Sequence, residues 1–210
     1  DTIWLDARVD SLSIGGVVLA NAHSDVFLTK FNLTRGFEGR VLGGRPAITL
    51  TVPVVTGDLE FDSVLFGSSR RVKDSQTGLG DIILTPGLGW DKGNRHIAFQ
   101  TSFFLPTGYY EKASVDVPGR QLTALSFGKN RAAILPVVSI TNMNPSNGRE
   151  FSASTGITFS FRNDATDYKT APEWHAEFAM LQHLKSGMAF GASGYAYYQL
   201  GEDSGAGADS

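Results

Sequence analysis

The sequence predicts an all-β fold, an antiparallel up-and-down transmembrane β-barrel, from three observations. Apolar and polar residues alternate with period two along several segments, which is the pattern of strands with two different faces. The polar face of the clearest segment carries small uncharged residues, whereas the wet face of a soluble sheet normally carries charged ones. The connections between the predicted strands alternate between short and long along the chain.

The composition of the 210-residue chain limits its class. No apolar run approaches the 18 or more residues of a transmembrane helix, and 24 glycines favour many turns over long helices. Cysteine is absent, which excludes disulfides and thiolate metal sites. The formal net charge of -3, without a basic stripe, makes nucleic acid an unexpected partner. No linker divides residues 1–210, so a single domain is expected, and no cofactor is predicted.

The first third of the chain contains two weak strands and one clear strand. The weak strands are expected at residues 4–9 and 26–34, with a Gly-rich loop between them through about Asp25. In the clear strand, residues 47–54, the even positions are all aliphatic. A long polar connection is expected at residues 56–80. This connection contains the basic residues Arg70, Arg71 and Lys73. They are either solvated or bind lipopolysaccharide phosphates.

The middle of the chain predicts a hairpin followed by a long loop. Strands at residues 81–90 and 97–105 flank a tight turn in which Gly93 can take positive φ. In the first strand Ile82, Leu84, Pro86, Leu88 and Trp90 alternate with Asp81, Ile83, Thr85, Gly87 and Gly89. The predicted outer face of the returning strand is Ile97, Phe99, Thr101, Phe103 and Leu105. A polar loop follows at residues 106–121. The next strand, residues 132–141, is apolar on both faces, so its orientation is not predicted.

The clearest strand runs from Glu150 to Arg162. Its odd positions are Phe151, Ala153, Thr155, Ile157, Phe159 and Phe161, and its even positions are Ser152, Ser154, Gly156, Thr158 and Ser160. At roughly 3.3 Å per residue, a tilted strand of this length crosses a hydrocarbon core of about 30 Å. A β-sandwich strand with one buried face would show the same alternation, so this strand alone does not decide between a barrel and a sandwich.

The last two predicted strands carry the candidate site. Residues 173–183 and 188–200 are joined by a tight turn at residues 185–187. Glu173, His175 and Glu177 lie at i, i+2 and i+4, so a strand places them on one face as a ladder that points into the lumen. Tyr195 and Tyr197 of the returning strand are assigned to the same ladder. Three roles are open: a hydrogen-bonded network, binding of a polar solute group, or a metal site.

The loop lengths favour a membrane barrel over a soluble all-β domain. From Asp81 onward the connections are short (91–94), long (106–121), short (142–149), medium (163–172) and very short (185–187). Outer-membrane barrels have short turns on one side and longer loops on the other. Predicted strand ends carry aromatic residues, as interfacial girdles do; these are Trp90, Tyr109, Tyr110, Tyr168 and Trp174.

The count of strands predicts a larger barrel than the chain supplies. About nine strands are expected, and bacterial single-chain barrels have an even number. An open sheet edge in lipid leaves backbone groups unpaired. We therefore expect the chain to be incomplete at its C-terminus, in a barrel of about ten to twelve strands.

Six short motifs resemble one known family. They are Gly78 to Asp81 (GLGD), Phe104 to Tyr110 (FLPTGYY), Thr166 to Tyr168 (TDY), Glu173 to His175 (EWH), Gly194 to Tyr197 (GYAY) and Asp203 to Gly207 (DSGAG). Over roughly residues 78–207 the sequence is similar to the proteins of the meta-pathway of phenol degradation, also called SphA-like, whose members continue through further strands.

This resemblance implies a function as well as a fold. It implies an outer-membrane β-barrel of a Gram-negative bacterium, in contact with outer-membrane lipid, that acts as a channel for passive uptake of small hydrophobic or aromatic compounds. The resemblance brings no catalytic residues, so no enzyme activity is expected. The oligomeric state is not predicted.

Two other classes stay open on the sequence. One is a soluble β-sandwich or lipocalin-like ligand-binding protein. The other is an outer-membrane hydrolase with His175 as base, although no nucleophile-elbow spacing is present. Loop carboxylates, which are Asp164, Asp167 and Asp203, are either solvated or calcium ligands. No metal site is assigned.

Overall fold

The computed structural model describes residues 2–14, 17–63, 70–112, 114–116, 121–123 and 125–208. In this part of the chain, ten strands form one antiparallel sheet and two short strands form a separate hairpin. A three-residue 3₁₀ turn, Ala206–Ala208, is the only helical element of the described residues. The described residues contain no helix that is long and apolar enough to span a membrane.

The strands follow one another in the sheet almost in chain order. They are β1 (Thr2–Ile14), β2 (Val17–Gly36), β3 (Arg45–Ser63), β4 (Arg70–Leu79), β5 (Ile83–Lys92), β6 (Arg95–Phe104), β7 (Ser114–Asp116), β8 (Gln121–Thr123), β9 (Ala133–Asn144), β10 (Arg149–Ser160), β11 (Glu173–His183) and β12 (Ala189–Gln199). The order in the sheet is β1-β2-β3-β5-β6-β9-β10-β11-β12, while β4 pairs with β3 and β7 pairs with β8. This is the up-and-down connectivity that the sequence predicts.

The chain divides into two compact units. The first contains residues 1–32, 51–82 and 105–130, and therefore holds β1, β4 and most of β2 and β3. The second contains residues 33–50, 83–104 and 131–210, which include β5, β6 and β9 to β12.

In the first unit, the structure corrects two predicted loops. The Gly-rich loop expected before Asp25 is instead a hairpin, in which β1 and β2 pair from Thr2↔Thr29 to Ile14↔Val17. The polar connection expected at residues 56–80 is also a hairpin, because β3 continues to Ser63 and pairs with β4.

The second correction has a physical reason in the pairing of β3 with β4. Their register places Thr56 opposite Thr77, and the two hydroxyls, 3.1 Å apart, hydrogen-bond across the hairpin and favour its pairing. The pattern of apolar residues does not reveal strands of this kind. The hairpin adds β4 to the nine expected strands. Arg70, Arg71 and Lys73 lie in this strand rather than in a loop, and their side chains are outside the described part of the structure.

The strands predicted for the second unit are confirmed. The short turns between β5 and β6, β9 and β10, and β11 and β12 each contain a glycine with positive φ, namely Gly93, Gly148 and Gly187. A residue without a Cβ takes this conformation at little cost, which explains the sharp reversal at each turn.

The two faces of the second unit differ in polarity, as the alternation predicts. One face is apolar and open to its surroundings; its exposed residues include Phe99, Val138, Phe151, Phe159, Phe178 and Met180. The registers place these residues on the same side of neighbouring strands. They also fix the orientation of β9, since Val138 lies on the apolar face and the buried Val137 on the other.

Candidate functional site

The polar face of the second unit consists of rows of residues that lie side by side on successive strands. One row is Gly87, Gln100, Val137, Gly156, His175 and Tyr197. The next row is Gly89, Ala98, Ser139, Ser154, Glu177 and Tyr195. Paired residues share a face and alternate residues along a strand share it too, so both rows lie on one surface.

The structure brings the five predicted site residues together on this surface. Glu173 lies opposite Gln199, His175 opposite Tyr197, and Glu177 opposite Tyr195. The five residues therefore form the predicted ladder, with Tyr195 and Tyr197 on β12 beside the glutamates of β11. Whether it binds a solute stays a prediction.

Within the ladder, Glu173 and Tyr197 contact each other directly. The Tyr197 hydroxyl donates a hydrogen bond to Glu173 Oε1 over 2.5 Å. Glu177 and Tyr195 are exposed on the same surface, and 64% of Tyr195 is accessible. The Glu177 and Tyr195 pair is therefore the part of the ladder that presents polar and aromatic groups to a passing molecule.

The imidazole of His175 fits into space that a glycine leaves on the neighbouring strand. A Cβ added to Gly156 would lie 3.0 Å from His175 Cε1 and 2.8 Å from both Val137 Cγ2 and Pro136 O. Such contacts are too short for any larger residue. Gly156 therefore sets the position of the His175 ring.

A groove of about 580 Å³ lies beside the exposed half of the ladder. Its polar lining consists of Ser139, Thr141, Ser152, Ser154, Glu177, Ser193 and Tyr195. Thr141 Oγ1 and Ser152 Oγ are 3.0 Å apart and hydrogen-bond to each other, so these two hydroxyls are satisfied without a ligand. Apolar residues line the rest of the groove, and Glu177 is the only charged one of the described residues that line it.

A second groove of the same unit was not predicted. It has a volume of about 340 Å³, and Arg45, Asp91, His96 and Gln100 contribute its polar groups. His96 Nδ1 and Asp91 Oδ1 are 2.6 Å apart across the β5–β6 turn. The sequence does contain a signal for this contact. A two-residue turn fixes the register of a hairpin, and that register places His96 opposite Asp91.

His183 belongs to the same strand as the ladder but contacts a different carboxylate. Its Nε2 lies 2.7 Å from Glu150 Oε2, and Glu150 Oε1 accepts a hydrogen bond from Ser152 Oγ over 2.8 Å. Among the described residues, the ligand atoms of Glu173, His175 and Glu177 form no cluster of metal-binding geometry. The metal interpretation of the ladder is therefore not supported by its geometry.

The acidic loop residues Asp167 and Asp203 have structural contacts. Asp203 accepts hydrogen bonds from the Tyr168 hydroxyl, from Ala171 N at 2.9 Å and from Gln199 Nε2 at 3.0 Å. These donors hold the pKa of Asp203 below its usual value, and the Tyr168 hydroxyl contributes most. The same bond raises the pKa of Tyr168.

Asp167 is held in the same way. Its Oδ2 accepts a hydrogen bond from Ala206 N at 3.0 Å, and its Oδ1 pairs with Arg162. The Ala206 bond is the larger cause of the lowered pKa of Asp167. The two carboxylates therefore join the loop at residues 163–172 to residues 203–207, and hydrogen-bond donors occupy positions that a calcium ion would need.

In the first unit, the chain after β6 folds back over one face of the β3–β4 hairpin. Phe127 and Leu125 pack over Gly57, and Phe127 and Tyr109 pack over Gly78. Asp81 holds both ends of this segment, since it accepts hydrogen bonds from Gly108 N and Lys129 N. The short motifs at residues 78–81 and 104–110 therefore meet at one place, which sequence spacing did not predict.

Two comparisons with known proteins give matches. The family described as "Putative MetA-pathway of phenol degradation" matches residues 9–210. The crystal structure of an outer membrane channel from Pseudomonas putida F1 is similar, with a TM-score of 0.64 and 14% sequence identity over 99% of this chain and 74% of that chain. No curated protein matches. The structural similarity and the ten-stranded antiparallel sheet confirm the predicted fold class.

Proposed function

The chain belongs to the family described as "Putative MetA-pathway of phenol degradation", and on that premise we propose that it is an outer-membrane channel of a Gram-negative bacterium. Its solutes are small hydrophobic or aromatic compounds, which pass by diffusion without an energy source. Membership of the family confirms the resemblance seen in the short motifs. An outer membrane channel with the same fold supports the proposal. The proposed partners are outer-membrane lipid and the solute.

The separation of the two faces of the second unit carries this proposal. Exposed aromatic and aliphatic side chains cover one face, including Phe151, Phe159 and Phe178. Exposed apolar surface of this extent is unfavourable in water but favourable against lipid tails. Small hydroxyl residues such as Ser139 and Ser154 cover the other face, which suits an aqueous lumen.

The groove beside Glu177 gives a mechanism of binding-assisted diffusion. A solute ring stacks on Tyr195, and such aromatic pairs contribute about 0.5–1.5 kcal/mol beyond area burial. Serine hydroxyls replace part of the hydration of a polar solute group. Contacts of this strength let a molecule enter and leave, which conduction requires. The Glu177 carboxylate accepts hydrogen bonds from solute O–H groups and repels anions.

The proposed role is not enzymatic and uses no cofactor. The hydroxyl of Tyr197 already binds Glu173, and the His175 ring lies over Gly156. His183 pairs with Glu150. These contacts position the ladder within the sheet, and among the described residues no histidine lines the groove beside Glu177, where nucleophilic catalysis would require a base.

Flux measurements with a pair of variants on opposite faces test the channel role. Ser154→Trp places a large ring in the groove, whereas Ala176→Trp, opposite Thr155, places the same ring on the apolar face and outside the groove lining. We expect liposomes with the unaltered protein to take up phenol faster than empty liposomes. We expect Ser154→Trp to reduce this uptake and Ala176→Trp to leave it nearly unchanged.

Folding has to be equal in both variants for this comparison. Heat-modifiable mobility on gels, a property of folded outer-membrane barrels, provides the control. If phenol enters no faster than into empty liposomes, the channel function is wrong. If both folded variants reduce uptake equally, the assignment of the polar face to the lumen is wrong.

A further inference from the structure

Two carboxylates and one imidazole of the β1–β2 hairpin converge on a small volume in the first unit. Asp6 and Asp25 lie directly opposite each other in the register, and His23 is two residues before Asp25 on the same face. One ligand atom of each residue lies within 4.8 Å of the other two. His23 Nε2 is 3.2 Å from Asp6 Oδ1 and 3.6 Å from Asp25 Oδ2.

The polar atoms of this cluster are poorly satisfied. His23 Nε2 is buried and, among the described residues, has no hydrogen-bond partner of acceptable geometry. Like charges that face each other across two strands destabilise the pairing, as Asp6 and Asp25 do here. The guanidinium of Arg8 lies 3.6 Å from Asp6 Oδ1, but its side chain is 74% exposed, so it offsets this repulsion only weakly.

We propose that Asp6, His23 and Asp25 bind a divalent transition-metal ion of the zinc type. One imidazole nitrogen and two carboxylate oxygens are ligands that such ions accept, whereas Ca²⁺ and Mg²⁺ take oxygen ligands. Two ligands about 2.1 Å from an ion at a tetrahedral angle lie roughly 3.4 Å apart. The separations of 3.2 Å and 3.6 Å from His23 Nε2 bracket this value.

The ion acts as a clamp between two strands. Asp6 belongs to β1, while His23 and Asp25 belong to β2, so one bound cation joins the two strands and removes the repulsion between the carboxylates. Among the described strands β1 pairs only with β2, so the ion adds a link to the one pairing that holds β1 in the sheet. The adjacent pair on the same face, Trp4 and Phe27, is aromatic and exposed, so the ion lies directly beside an aromatic pair.

Zinc titration of the full chain, folded in detergent, freed of any affinity tag and dialysed against a chelator, tests this proposal. We expect one high-affinity zinc per chain by calorimetry, and absorption bands of tetrahedral or five-coordinate metal when Co²⁺ replaces zinc. Loss of an outer-shell partner alone weakens metal binding about 10–100-fold. We therefore expect His23→Gln and Asp25→Asn, each of which removes a ligand, to weaken zinc binding by about 100-fold or more.

A second histidine and aspartate pair provides the matched control. His96 Nδ1 is 2.6 Å from Asp91 Oδ1, and this pair belongs to no group of three ligands among the described residues. His96→Gln is expected to retain the high-affinity zinc. The proposal is wrong if the unaltered chain binds no zinc above the level of His23→Gln, or if His96→Gln weakens binding as much as His23→Gln does.

Discussion

The Oδ1 atom of Asp81 accepts a hydrogen bond from the backbone N–H of Gly108 over 3.0 Å. Its Oδ2 atom accepts a second from Lys129 N over 2.8 Å. One carboxylate therefore joins the connection between β4 and β5 to both ends of the chain segment at residues 105–130. This contact explains why the motifs at residues 78–81 and 104–110 occur together, since each supplies one partner.

Asp81→Asn should destabilise the first unit. The carboxamide has one acceptor oxygen instead of two, so one of the two backbone N–H groups loses its partner. A hydrogen bond to a charged group contributes about 1.5–3 kcal/mol, and we expect a loss of this order in the free energy of unfolding. Denaturant unfolding in detergent measures it, with the exposed Asp164→Asn as control. Equal stability of the two variants would contradict the structural role of Asp81.

Gly108→Ala should be destabilising for a different reason. A Cβ at this position would lie 2.7 Å from the carbonyl carbon of Gly80 and 2.8 Å from Cα of Gly128. Overpacking of this kind typically costs about 1–3 kcal/mol. Gly36→Ala is the matched control, because nothing lies within 4 Å of its added Cβ. The two substitutions should differ clearly in thermal unfolding, and similar midpoints would show that the segment moves aside at no cost.

Alternation of residue types predicted the second unit well because its strands have two chemically distinct faces. Phe151 and Phe159 mark one face of β10, and Ser152 and Ser154 mark the other, so the pattern and the register give the same result. The first unit lacks this contrast. β4 is predominantly polar, and its pairing with β3 depends on partners such as Thr56 and Thr77 that are far apart in sequence.

The candidate site was predictable only in part. Period-two spacing is local information, so it placed Glu173, His175 and Glu177 on one face of β11. Which hydroxyl reaches which carboxylate is not local, and the Tyr197 contact with Glu173 requires the register between β11 and β12. The cluster of Asp6, His23 and Asp25 was missed because residues before Asp25 were expected to form a loop.

Arginine on the apolar face should cost more than arginine on the polar face. Phe159 is 46% exposed on the apolar face, whereas its neighbour Thr158 lies on the polar face. If Phe159 contacts lipid near the bilayer centre, Phe159→Arg should cost about 2–4 kcal/mol, while Thr158→Arg should mainly narrow the lumen. Unfolding in liposomes measures both. Equal losses of stability would show that the assignment of Phe159 to lipid and Thr158 to the lumen is wrong.

The Asp203 contacts predict a loss of stability in acid. The pKa of Asp203 is lower in the folded chain than its usual value of about 3.9, mainly because of the Tyr168 hydroxyl. Its stabilisation is therefore fully present above the unfolded pKa and decreases as the pH falls through the folded pKa. The difference in unfolding free energy between the unaltered chain and Asp203→Asn should be constant at neutral pH and should shrink below about pH 4. A difference for Asp203→Asn that stays constant over this pH range would contradict the contact.

Glu177 should affect which solutes pass more than it affects folding. Its carboxylate is exposed in the groove beside Tyr195, and an anion about 5 Å away in water-like surroundings is repelled by about 0.8 kcal/mol, or roughly fourfold in occupancy. We therefore expect Glu177→Gln to raise liposome uptake of benzoate relative to phenol by roughly fourfold. The double variant that also carries His175→Ala leaves the space over Gly156 empty and should change the uptake rate of both solutes. Glu202→Gln removes the same charge from an exposed loop and is expected to leave the ratio unchanged. If Glu177→Gln lowers stability and leaves the ratio unaltered, the ladder is a hydrogen-bonded network of the sheet and selects no solute.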